Sequence, residues 1–175
     1  MANELDESLS PASEPTRVPE DVLLYGALCE ALLDYILSVV LGADDFSRHL
    51  IEAQFVSRAG RDKKVKALKL VMFEYCPDVA DAPPYDTLAT ELKKLFDYRD
   101  TIAHSQPDHG DRYNRLRRRD GRNERVSVTE EGLAAELDRG IKCHSALAFI
   151  PEYVARARAA TVQAVEQGTA GVSAG

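Results

Sequence analysis

The architecture hinges on the run Leu92-Lys-Lys-Leu-Phe-Asp-Tyr-Arg99-Asp100-Thr-Ile-Ala103-His104-Ser105. With Leu88, its Leu92, Leu95, Phe96, Ile102 and Ala103 recur at helical spacing, which predicts a helix over 85–104 with one buried stripe. Asp81-Ala-Pro-Pro84 turns the chain into it, and Ser105-Gln-Pro107-Asp108 ends it. The helix therefore closes on a histidine, five residues after an arginine.

Toward the N-terminus three more helices are expected. The nearest runs from about 62 to 76, with Val65, Leu68, Met72 and Tyr75 as its stripe and Pro77 as its stop. Its Lys63, Lys64, Lys66 and Lys69 fall mostly off that stripe, as a solvated face does. Before it, Asp44 or Asp45 caps a helix in which Phe46, Leu50, Ile51 and Phe55 share a face, ending near Gly60. The first helix opens at Pro19-Glu20-Asp21 and carries Leu24, Leu28, Ala31, Leu32, Tyr35 and Val39 at helical spacing up to Gly42.

Beyond the central run the pattern changes. Seven arginines (112, 115, 117, 118, 119, 122 and 125) stand against only Asp120 and Glu124, a segregated basic stretch in a chain of net charge −7. Asp120-Gly121 is a hairpin turn signal and Val126-Ser-Val128 alternates as a strand does. An arginine-rich β-hairpin over 112–128, or a loop that orders on binding, is expected there. Thr129, Glu130 and Glu131 then cap a long last helix with Leu133, Leu137, Ile141, Leu147 and Ile150 inward and a kink at Pro151.

Composition sets the bounds. At 175 residues and 45% hydrophobic the chain suits one domain with a real core. Residues 1–18, acidic and poor in large apolar groups, read as a disordered leader, and 166–175 as a disordered tail, leaving a single domain over 19–165. Cys29, Cys76 and Cys143 have no paired spacing, so neither a disulfide framework nor a thiolate zinc site is expected. His49 and His109 have no ligand-spaced partners, and no metal or other cofactor is expected. An acidic N-terminus, with Glu30 and Asp34 inside the most apolar stretch, points to a cytoplasmic protein with no membrane partner.

The 92–105 run resembles the signature of HEPN-domain proteins, helical bundles whose fourth-helix region carries an arginine, four to six intervening residues, and a histidine. The polar residue directly after the arginine, here Asp100, and the closing Ala103-His104 pair are similar to that family too. The resemblance implies an all-α, HEPN-like bundle of about five helices, with the basic hairpin or loop and the long last helix as departures from the minimal form. It implies a homodimer whose motifs face one another, acting as a metal-independent endoribonuclease of the toxin or antiviral-defence kind. Arg99 and His104 would then be catalytic and Asp100 supporting, with RNA as substrate and an antitoxin or nucleotidyltransferase as a further partner.

The residue types suit that chemistry. Cleaving RNA without a metal needs a base for the 2′-hydroxyl proton, an acid for the 5′-oxygen, and a cation for the phosphorus oxygens. Histidine titrates near neutral pH, and arginine offers a fixed planar charge. Five residues of helix separate the two side chains by roughly 140° and about 7 Å, so a second copy is needed to assemble a compact site. Arg112, Arg115, Arg117, Arg118, Arg119, Arg122 and Arg125, with Tyr113 for stacking, are the candidate RNA contacts.

Three alternatives stand beside this. Arg99 paired with a carboxylate such as Asp97 or Asp100, with His104 as a plain helix end, would give a purely structural dimerising domain. A catalytically inactive HEPN-like module would bind nucleic acid or a partner protein through its basic hairpin. Finally, Arg139-Gly-Ile-Lys-Cys-His144 satisfies the same spacing, but it falls inside a helix with His144 on the apolar side, as a core or interface histidine does.

Overall fold

Prolines and capping side chains divide the chain into helices close to the expected boundaries. A computed structural model describes residues 18–42, 44–104, 106–107, 113–119 and 122–172, with side chains over 19–42, 44–104 and 128–165. The chain is mostly helical: α1 spans Val18–Leu41, α2 Asp45–Ile51, α3 Arg61–Tyr75, α4 Pro77–Ala80, α5 Tyr85–Ala103 and α6 Glu130–Val172. Strands β1 (Gln106–Pro107), β2 (Tyr113–Arg119) and β3 (Arg122–Val128) form a small antiparallel sheet between α5 and α6. The leader expected over 1–18 lies outside the described residues except for Val18, which opens α1.

The caps are those the side chains predict. Ser47 N–H donates to Asp44 Oδ1 at 2.8 Å and Asp44 N–H to Ser47 Oγ at 3.0 Å, a capping box that starts α2. A π-helical turn, Glu52–Val56, continues α2 toward Gly60. Thr129 Oγ1 accepts from Gly132 N–H at 3.1 Å at the start of α6. Arg158 of α6 donates to the Val39 and Val40 carbonyls at 3.2 and 2.5 Å, satisfying the open end of α1.

The core gathers Val22, Cys29, Leu33 and Ile36 of α1, Val65 and Leu68 of α3, Leu88, Leu92, Leu95 and Phe96 of α5, and Leu133, Leu147, Ile150 and Val154 of α6. Two glycines let α1 approach its neighbours. A Cβ on Gly26 would lie 2.7 Å from Arg99 Cδ, and one on Gly140 would lie 2.8 Å from Tyr25 Cβ.

Five details differ from the periodicity reading. The stripe expected to face the core in α1 is largely outside, with Leu24, Leu28 and Tyr35 exposed, because the helix is apolar nearly all round and its spacing cannot select a face. Phe46, Leu50 and Phe55 are exposed as well, and α2 buries no residue. Ile141 and Ala103 also face outward. The last helix continues through Pro151 and on to Val172, past the expected limit at 165.

Lys64 departs furthest. Expected on a solvated face, it is 3% exposed, and its ammonium donates to Asp34 Oδ2 at 2.9 Å and lies 3.7 Å from Glu30 Oε1. Burial pushes the Asp34 carboxyl above its usual range against the pull of the Lys64 charge. Pro19–Leu41 is long and apolar enough to cross a membrane by length and composition, a test that core helices also pass. Its charged residues from 22 to 41 are only Glu30 and Asp34.

Removing the cation while leaving both carboxylates in place strands charge beneath the surface. Lys64→Ala is therefore expected to cost about 3 kcal/mol in urea unfolding. Lys63→Ala and Lys66→Ala, on the exposed face, stay within about 0.5 kcal/mol. Equal, small effects for all three lysines would show that the Lys64 pairing carries no stability.

Candidate functional site

The last turn of α5 meets α1 and α3 at a cluster of charge. Arg99 Nη1 donates to Glu30 Oε2 at 3.0 Å, and Arg61 Nε donates to the same oxygen at 3.0 Å. The other arm of Arg61, Nη1, reaches Asp100 Oδ1 at 2.6 Å, and its guanidinium lies 5.5 Å from the centroid of the Phe96 ring. Burial alone would lower the Arg61 pKa, but Asp100 and Glu30 outweigh it and hold the group above its ordinary value.

Helix geometry brings these groups together. Arg99 follows Phe96 and Leu95, both buried, so its side chain leaves the edge of the core and runs over Gly26 to Glu30, one turn further along α1. Its side chain is 23% exposed, at the border of solvent. His104 is the C-cap of α5, with backbone N–H to Asp100 carbonyl at 3.2 Å, and it is exposed. A cleft of about 320 Å³, lined by Arg61, Asp62, Lys93, Phe96, Asp97 and Asp100 among others, opens beside the cluster.

Two residues beyond His104 the chain enters β1, which pairs with the start of β2, so the basic hairpin is rooted next to the end of α5. Tyr113, Arg115, Arg117, Arg118 and Arg119 belong to β2, and Arg122 and Arg125 to β3, with Leu116 opposite Arg125 and Arg119 opposite Arg122. Arg112 lies outside the described residues. Val128, at the base of β3, is buried and ties the sheet to the core.

The second pair with the same spacing has a different setting. Arg139 donates to Glu91 Oε2 at 2.7 Å and to Glu136, and His144 meets the Tyr25 ring edge-on at 5.9 Å, half-buried between α1 and α6. The Lys94 hydrogen bond, with Arg139 behind it, holds the Glu91 carboxyl below its usual range. Burial pushes the Cys29 and Cys143 thiols up to about 12, which leaves them protonated and unreactive at neutral pH. Among the described residues no group of three His, Cys, Asp or Glu side chains is placed to hold a metal ion.

Sequence reading located Arg99, Asp100 and His104 but missed Glu30, Arg61, Lys64 and Gly26. The available signal was Glu30 and Asp34, the sole charges in the apolar length of α1 and one turn apart. Such charges need cations from elsewhere in the fold.

Two outcomes follow from this geometry. Gly26→Ala adds about 1 kcal/mol of helix propensity but drives a methyl group into the Arg99 stem, an overpacking cost of about 1–3 kcal/mol. Net loss of stability in urea unfolding is expected, and a net gain would mean that Arg99 moves freely off α1. A carboxylate with a lowered pKa contributes stability above its unfolded pKa that is lost as pH falls through the folded value. Glu91→Gln therefore lowers the Tm at pH 7 and leaves it unchanged once the parent Glu91 is protonated; a constant difference at every pH would contradict the pairing.

Comparison with protein-family models, with curated proteins and with solved structures gives no match.

Proposed function

We propose that this chain is a HEPN-like endoribonuclease that cleaves RNA without a metal ion and works as a dimer. The observation that carries the reading is the exposed His104 closing α5, with Arg99 five residues earlier and an arginine-rich hairpin rooted beside it. Arg99, the exposed His104 and the backbone of the arginine-rich strands lie at the same end of α5, which supports the reading.

In this mechanism the imidazole of one His104 takes the 2′-hydroxyl proton as that oxygen attacks phosphorus. The protonated His104 of the second copy gives its proton to the leaving 5′-oxygen, and a 2′,3′-cyclic phosphate remains. Arg99 faces the non-bridging oxygens, where negative charge grows. Arg115, Arg117, Arg118, Arg119, Arg122 and Arg125 hold the RNA backbone through phosphate contacts that carry no sequence information, and Tyr113 stacks on a base. Membership of a toxin or antiviral-defence system, control by an antitoxin or nucleotidyltransferase, and a cytoplasmic location belong to the same reading.

One observation favours a second reading. The charge of Arg99 is already offset by Glu30, which suits a binding module that has no use for a free catalytic arginine.

Incubation of the purified protein with a mixed RNA pool in EDTA separates the two. Under the enzyme reading the parent leaves cyclic phosphate ends, and His104→Ala abolishes cleavage while changing stability by no more than about 0.5 kcal/mol, since the side chain is exposed. Intact RNA with both proteins overturns it. If RNA is then still bound, and charge reversal at Arg117, Arg118 and Arg119 removes both the binding and its salt dependence, the module is a binder.

A further inference from the structure

Glu30 occupies a costly position for a protein that handles phosphate. Its Oε2 accepts from Arg99 Nη1 and from Arg61 Nε, both at 3.0 Å, and so places negative charge against the arginine that is to face the scissile group. Were RNA affinity the sole requirement at this corner, an uncharged residue would serve better. The part-buried pairs also tie α1 to α3 and α5. What the carboxylate does supply is direction. A single guanidinium arm is anchored, and Arg99 Nε and Nη2 meet no acceptor among the described residues, which leaves them for a ligand.

The anchor is itself braced. Arg61 bridges Glu30 on α1 to Asp100 on α5, at 3.0 and 2.6 Å, while its guanidinium lies over the Phe96 ring. Lys64 stands 3.7 Å from the other oxygen of Glu30. Gly26, one turn before Glu30, clears the path of the Arg99 stem, since a Cβ there would fall 2.7 Å from Arg99 Cδ. Three helices therefore converge to fix one arginine.

We infer that Glu30 is a positioning residue that orients Arg99 for phosphoryl chemistry, with Arg61 as its brace. This role rests on the ribonuclease reading above. It trades affinity for orientation, so neutralising Glu30 lowers kcat without raising KM.

The test is steady-state cleavage of an RNA oligonucleotide by the full chain and by Glu30→Gln, Glu30→Asp and Arg61→Gln, with Tm measured alongside. Glu30→Gln is expected to lower kcat by about 10- to 100-fold, the scale of a misplaced catalytic group, while KM stays the same or falls. Glu30→Asp, which keeps the charge, recovers part of that loss. Arg61→Gln lowers kcat less, with KM unchanged, and it decides the matter should Glu30→Gln fail to fold. Undiminished kcat in Glu30→Gln, or kcat and KM worsening together in step with Tm, overturns the positioning role while the ribonuclease reading stands. Absence of cleavage by the parent chain overturns that reading and this role with it.

Discussion

One carboxylate oxygen, Glu30 Oε2, receives hydrogen bonds from guanidinium groups on two other helices. Much of the arrangement follows from the need to make that contact. An apolar helix with two charges one turn apart cannot bury them unpaired, and Lys64, Arg61 and Arg99 are the cations that reach them. Once they do, the rotation of α1 about its axis is set. Val22, Cys29, Leu33 and Ile36 turn to the core, while Leu24, Leu28 and Tyr35 turn away. The hydrophobic effect is non-directional and would accept several faces of so apolar a helix; the ion pairs select one.

That selection explains which features could be read ahead of the structure. Helix ends depend on local chemistry, so Asp44, Thr129 and Pro77 located them, and the paired β2 and β3 flank the expected turn at Asp120-Gly121. The face a helix presents depends on residues far away in the chain. Glu30 and Arg99 are 69 positions apart, and nothing in the spacing of either helix anticipates the meeting. Lys64 shows the same limit, for within a run of lysines only its partners on α1 distinguish it from Lys63 and Lys66. The residues of the candidate site were therefore visible, and the groups that pair with them were not.

The two arginine–histidine pairs make a final argument about motifs. Both arginines are held by carboxylates, Arg99 by Glu30 and Arg139 by Glu91 and Glu136, so the arginine does not distinguish the pairs. The histidines do. His144 is half-buried in mid-helix with the Tyr25 ring edge-on to it. His104 closes a helix, open to solvent, where a substrate can reach its imidazole. A general base must come within hydrogen-bond reach of the proton it removes, and of the two His104 is the more exposed. Equal spacing in sequence thus carries unequal structural settings, and the end of α5 at Ala103 and His104 creates the difference.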